Sequence, residues 1–128
     1  MAKISTLPNL QNQSEDSFQQ ACVFWFGMAY PHHRRLLHHS PNEGKRSYYI
    51  GRRLQAMAMQ KGYPDLFLAV PRGGYHGLYV ELKSNKGRLT DEQEVMLALL
   101  AEQGYKTAVC KPPVSNFIQL VTNYMELN

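Results

Sequence analysis

The stretch from Pro64 to Lys83 constrains this chain more than any other. Asp65 to Val70 is an apolar run bounded by Pro64 and by Pro71-Arg72-Gly73-Gly74, which predicts a buried strand entering a turn. Leu78 to Lys83 then alternates, with Leu78, Val80 and Leu82 on one face and Tyr79, Glu81 and Lys83 on the other. Successive side chains of a strand point to opposite faces, so Glu81 and Lys83 project the same way. Two strands across so short a turn predict a hairpin. Asp65, at the mouth of the first strand, then lies beside Glu81 and Lys83 in the second.

The flanking segments predict helices and two further strands. From Ser14 to about Ala29 the residues Phe18, Cys22, Trp25 and Ala29 recur at helical spacing, and Glu15 and Asp16 occupy the first turn, where the helix dipole favours carboxylates. Leu36 to His39 suits a short strand. A turn-prone Ser40-Pro41-Asn42-Glu43-Gly44 leads into a second helix, expected from about Arg46 to Gly62. Thr90 with Gln93 three residues on forms a capping box for a third helix ending at Gly104, and Tyr105 to Cys110 reads as a strand. Ser115 is the expected cap of a last helix carrying Phe117, Ile118, Val121, Tyr124 and Met125. The order predicts an α/β fold, a mixed central sheet flanked by helices.

A chain of 128 residues suits one core and one domain. Residues 1–13 are expected to be a flexible N-terminus and 14–128 the domain. The N-terminal run is polar and broken by Pro8, and the apolar run from Ala21 to Tyr30 is too short to span a bilayer. A cytoplasmic protein without membrane association is the expectation. Cys22 and Cys110 form no zinc-type spacing and read as buried apolar residues. Between Arg34 and Arg88 stand 11 of the 14 Lys and Arg against three acids, a net of +8, while the ends net −4. Positive charge is thus concentrated where a polyanion could meet it.

Asp65, Glu81 and Lys83 also carry the chemistry. Two neighbouring carboxylates repel and resist desolvation unless a cation sits between them, and all-oxygen ligation suits Mg²⁺ or Mn²⁺. Such a site can hydrolyse a phosphodiester, with Lys83 orienting the attacking water or offsetting charge in the transition state. A plain salt bridge of Lys83 with either carboxylate is the alternative reading. His32, His33, His38 and His39 complete no Cys/His set of zinc spacing. Asn85-Lys86-Gly87-Arg88 lacks the pattern of a nucleotide phosphate loop.

The ordered strings Gly62-Tyr63-Pro64-Asp65, Tyr79-Val80-Glu81-Leu82-Lys83, Gly87-Arg88-Leu89-Thr90 with Gln93, and Gly104-Tyr105 closely resemble the VRR-NUC family, virus-type replication-repair nucleases of the PD-(D/E)xK superfamily. The resemblance runs from Glu15 to about Val109. It implies a restriction-endonuclease-like fold, with Asp65, Glu81 and the backbone carbonyl of Leu82 as ligands of the cation and Lys83 as the catalytic lysine. Glu15 matches the family's N-terminal acidic position and could support the metal, although dipole compensation explains it equally. Gln19 lies one turn further on and would face the same side. Gln93 matches a position near the active site, compatible with its capping role.

The resemblance further implies DNA as substrate in replication, recombination or repair, cut by hydrolysis to leave a 5′-phosphate, with no small-molecule cofactor beyond the cation. Similar small stand-alone members resolve four-way (Holliday) junctions, and the family name points to phage. Two symmetric cuts would call for a homodimer. Cutting of flaps, nicks or ends by the same fold, or a non-catalytic DNA-binding module, are the alternatives. Asn42 with Arg46 resembles the family's loop before the second helix. Arg46, Arg52, Arg53, Lys86 and Arg88 are the candidate DNA contacts, with only one of the adjacent Arg52 and Arg53 expected to reach phosphate. Arg34 and Arg35 could extend that patch.

Overall fold

The computed structural model describes residues 14–40 and 48–128. The expected flexible N-terminus and the loop holding Asn42 and Arg46 lie outside the described residues. The elements are α1 (Glu15–Ala29), a 3-10 helix (Pro31–Leu36), β1 (Leu37–His39), α2 (Tyr48–Ala56), β2 (Leu66–Leu68), β3 (Leu78–Leu82), α3 (Asp91–Glu102), β4 (Lys106–Cys110) and α4 (Val114–Met125). The strands form a mixed sheet in the order β1-β2-β3-β4. β1, β2 and β3 are antiparallel neighbours, and β4 runs parallel to β3 after the α3 crossover. The expected α/β fold with a helix-flanked mixed sheet is what the chain adopts.

Alternation along β3 fixes the core. Leu78, Val80 and Leu82 are buried on one face, together with Leu66 and Leu68 of β2. Phe18, Cys22 and Phe26 of α1 and Phe117, Val121 and Tyr124 of α4 close over that face. The row on α1 therefore advances in steps of four, with Trp25 at its edge against Phe117 (6.0 Å between ring centres). Ala29, placed on the stripe by spacing, is exposed. Each buried apolar side chain contributes about 1.5–3 kcal/mol, and Phe117→Ala would cost about 3–5 kcal/mol through the cavity it leaves. The Tyr124 hydroxyl donates to the carbonyl of Val70 at 2.6 Å and ties α4 to the end of β2.

Two helix boundaries depart from expectation. α2 stops at Ala56 rather than Gly62. Ala58 adopts a positive φ of 71°, Met59 N–H donates to Leu54 O at 3.0 Å and Ala58 N–H to Gln55 O at 3.0 Å. This is a Schellman closure with alanine where glycine is usual, so the sequence carries no stop signal there. α4 starts at Val114 with Pro113 as its cap residue and no side-chain cap. Ser115 is inside the first turn, because Pro113 is already extended and its carbonyl accepts Asn116 N–H at 3.0 Å. By contrast, Thr90 and Gln93 form the full capping box of α3 as expected, and Ser14 caps α1. Among the described residues no helix is long and apolar enough to cross a membrane.

Candidate active site

The antiparallel register pairs Leu66 with Val80, and one step beyond it Asp65 stands opposite Glu81. Asp65, Glu81 and Lys83 are only 4%, 3% and 8% exposed. They are the buried polar side chains among the described residues, within an otherwise apolar interior. Asp65 Oδ2 accepts the backbone N–H of Leu82 at 2.8 Å, so the carboxylate is anchored across the hairpin to the strand that carries its neighbour. The Asp65 carbonyl accepts from Ser40 N–H (2.9 Å) and from His39 Nδ1 (3.0 Å), which requires the Nδ1-protonated tautomer of His39.

Glu81 shares a side-chain hydrogen bond with Asp65, and its acidity is strongly perturbed. Burial pushes its pKa up to about 9; the hydrogen bond and charge of Asp65 add to the rise, Glu15 adds slightly, and Lys83 opposes it. One oxygen, Oε1, accepts from Gln93 Nε2 at a long 3.4 Å. The other, Oε2, is buried without a hydrogen-bond partner among the described residues. A buried carboxylate oxygen left without a donor is costly. A cation between the two carboxylates would relieve both this orphan atom and the repulsion that raises the Glu81 pKa.

Glu15 stands at the rim, in the first turn of α1, where its Oε1 accepts Ser84 N–H at 3.3 Å. That contact ties α1 to the chain just after Lys83. Among the described residues no three His, Cys, Asp or Glu side chains gather into a cage for an ion. The acidic oxygens gathered here are those of the Asp65 and Glu81 carboxylates, with Glu15 nearby at the rim. Such a set fits Mg²⁺, which keeps several waters and takes one or two protein carboxylates. A thiol- or imidazole-rich site for zinc is not what these residues offer.

Of the residues singled out from sequence, the fold brings Asp65, Glu81, Lys83, Gln93 and Glu15 to one end of the β2–β3 hairpin. Gln93 closes the expected capping box, its Oε1 accepting from Thr90 N–H (2.9 Å), and its Nε2 reaches Glu81. Lys86 and Arg88 are exposed just beyond Lys83, in a turn closed by Gly87 N–H to Ser84 O (2.9 Å). Arg52 and Arg53 are both exposed on α2. His39 is the residue that sequence reasoning misses. Spacing tests the histidines only as metal ligands, whereas the pairing of His39 with Leu66 beside Asp65 gives it a supporting role.

With this geometry in view, the comparisons with known proteins converge. The family model of the VRR-NUC domain matches residues 9–112. The chain belongs to the VRR-NUC family. A solved structure described as a VRR_NUC domain protein superposes with a TM-score of 0.79 at 28% sequence identity, covering 91% of this chain and 92% of that one. No curated protein matches the sequence. The VRR-NUC domain is a nuclease-type, DNA-processing domain, and the matched span contains Glu15, Asp65, Glu81, Lys83 and Gln93. All of α4, which closes the core, lies beyond the matched span.

Proposed function

We propose that this VRR-NUC protein is a metal-dependent, structure-specific DNA endonuclease that resolves four-way junctions as a homodimer. The observation that carries the metal dependence is the buried Asp65–Glu81 pair with its orphaned Glu81 Oε2, placed beside Lys83. Asp65 and Glu81 would hold Mg²⁺ or Mn²⁺ with the Leu82 carbonyl, and Glu15 would support it from the rim. The bound cation would supply charge stabilisation at the phosphate and acidify water for the attack.

The chain's own residues do the rest. Leu82 N–H holds Asp65 in place, and Gln93 holds Glu81, so both carboxylates are pre-set before substrate arrives. Lys83 is on the same face of β3 as Glu81, where its ammonium offsets phosphate charge and can orient the incoming water. Lys86, Arg88 and one of Arg52 and Arg53 would grip flanking phosphates, which positions the duplex arms without reading sequence. Junction choice is favoured by small size and the need for two cuts related by a two-fold axis.

Labelled synthetic four-way junctions, flaps and linear duplexes, incubated with Mg²⁺, Mn²⁺ or EDTA, test this. Paired symmetric cuts on the junction alone, lost in EDTA and in Asp65→Ala and Lys83→Ala, are expected. Cutting of flaps or ends would keep the site and change the substrate. Tight binding with no cleavage of any structure would make the protein a DNA-binding module.

A further inference from the structure

The sheet face that carries Asp65 and Glu81 also carries a cluster of aromatic rings, and one of them is open to solvent. Phe67 pairs with Tyr79, one same-face step of about 7 Å from the Asp65–Glu81 row. Their rings stack at 4.3 Å between centres, and Tyr105 packs edge-on against both, at 5.8 and 5.2 Å. Tyr63 adds a fourth ring, 6.0 Å from Tyr79 and tilted 63° to it, and the two side chains share a hydrogen bond. Phe67, Tyr79 and Tyr105 are half-buried, whereas Tyr63 is 37% exposed, although Pro64 and Asp65 directly after it are buried. The register extended past Leu66 would set Tyr63 opposite Lys83. Its contact with Tyr79 means instead that the chain before Pro64 folds back over the outer face. Gly62 permits this: its φ is 85°, and a Cβ there would stand 2.5 Å from Glu92 O and 3.0 Å from Gln93 N, in the first turn of α3. The ring is thus held from both sides, by Gly62 against the turn that carries Gln93 and by Asp65 on the Leu82 N–H.

We propose that Tyr63 is the platform on which an unstacked base of the cleaved DNA strand settles, beside the phosphate held at Asp65 and Glu81. Tyr63 and Asp65 are two residues apart, so their Cα atoms lie within about 7 Å of each other. That is roughly two stacked nucleotides at 3.4 Å each, which puts the ring in reach of a base next to the scissile bond. Every base has a π face, so stacking on an aromatic ring holds an exposed base without reading its identity. Taking a base out of the duplex costs least where it is already unpaired or poorly stacked, as at a branch point. The platform therefore favours branched over linear DNA. Asp65, Glu81 and Lys83 cannot supply that preference, because their chemistry meets only phosphate. Lys61, exposed two residues before the ring, is placed to hold a neighbouring phosphate. The inference deepens the proposed junction cleavage and rests on that reading for DNA as the ligand of this site.

Photo-crosslinking of the full chain, in EDTA, to a four-way junction carrying 5-iododeoxyuridine at the branch point is the test, with the same base inside a linear duplex as control. Peptide mapping should place the junction adduct on Tyr63 and find none there with the duplex. Tyr63→Leu keeps an apolar contact with Tyr79 but has no ring. It should lose the adduct and weaken junction binding about fivefold to 100-fold, with the salt slope of log K unchanged, because stacking displaces no counterions. Tyr63→Phe keeps the ring and should bind the junction within about twofold of wild type. Duplex binding should be alike in all three proteins. An adduct on another residue, a Tyr63→Phe as weak as Tyr63→Leu, or a Tyr63→Leu that weakens duplex and junction equally overturns the inference. The adduct is read on wild type, so it decides even where a variant folds poorly. Cleavage assayed in parallel with Mg²⁺ separates the two readings: junction cutting lost in Asp65→Ala without a Tyr63 adduct removes the platform and keeps the nuclease, while a Tyr63 adduct with no cutting of any DNA does the reverse.

Discussion

Asp65 is fastened to the backbone of Leu82: its Oδ2 accepts the Leu82 N–H at 2.8 Å across the β2–β3 hairpin, in a buried environment. One oxygen of this carboxylate is therefore structural, and the side chain also bonds Glu81. The two tasks separate by substitution. Asp65→Ala leaves the Leu82 N–H buried without an acceptor and should cost about 1–3 kcal/mol as well as cleavage. Asp65→Asn keeps an acceptor for that N–H and should fold with nearly wild-type stability while losing cleavage. Chemical denaturation of both variants, alongside junction cleavage, checks this split.

Glu81 makes the protein without a divalent cation sensitive to pH. Its pKa is raised from 4.5 to about 9 in the folded chain, chiefly by burial. The folded state therefore holds a proton that the unfolded state has released, and the stability this contributes is complete below the unfolded pKa and lost as pH rises through the folded one. In EDTA, stability should fall between about pH 4.5 and pH 9. Glu81→Gln should flatten that slope and gain stability at pH 8, because a neutral amide needs no proton taken up on folding, with cleavage abolished. Added Mg²⁺ or Mn²⁺ should restore wild type by mass action and leave Glu81→Gln unmoved. Thermal melts across pH, with and without cation, read all of this. A slope that survives in Glu81→Gln would assign the titration elsewhere.

The hairpin and its site are legible in the sequence because period-two alternation and three misplaced polar residues are strong local signals. Leu78, Val80 and Leu82 are buried as the alternation requires, and the register places Asp65 opposite Glu81 without further information. Thr90 and Gln93 are equally plain, since a capping box is written in four residues. The end of α2 is not, because it rests on Ala58 taking a left-handed conformation that alanine rarely adopts. Nor is the role of His39, which depends on β1 lying beside β2 although His39 and Asp65 are 26 positions apart in sequence. Exposure of Phe24 and Met28 is also hidden. Apolar residues on a helix look alike in sequence until the neighbouring elements show which face is covered.

Lys86 and Arg88 should act on binding and not on chemistry. Both are exposed just beyond β3, where a phosphate contact would exchange bound counterions for a side-chain charge. Replacing either by Ala should weaken junction binding and lower the salt slope of log K by about one for each phosphate no longer neutralised. The single-turnover cleavage rate at saturating protein should change by less than about threefold, since neither charge meets the reacting phosphate. Lys83→Ala should do the opposite, with binding retained and cleavage lowered about 10²- to 10⁴-fold. Binding titrations at several salt concentrations, paired with single-turnover rates, distinguish the two classes.

Ala58 offers a test of the backbone alone. Its φ of 71° places a Cβ in the left-handed region, which costs an L-residue other than glycine roughly 1–2 kcal/mol, yet the bonds of Met59 and Ala58 to Leu54 and Gln55 hold it there. Glycine takes this conformation without the clash but adds freedom to the unfolded chain, an opposing effect of about 0.4–1 kcal/mol. Ala58→Gly should therefore stabilise by the difference, up to about 1.5 kcal/mol, and raise the melting temperature by roughly 5–9 °C at most for a domain of this size. Ala58→Val should destabilise, because branching at Cβ worsens the same clash. Both variants leave Asp65, Glu81 and Lys83 untouched, so cleavage measured well below the melting temperature should match wild type. A glycine variant less stable than wild type would mean that α2 ends differently in solution.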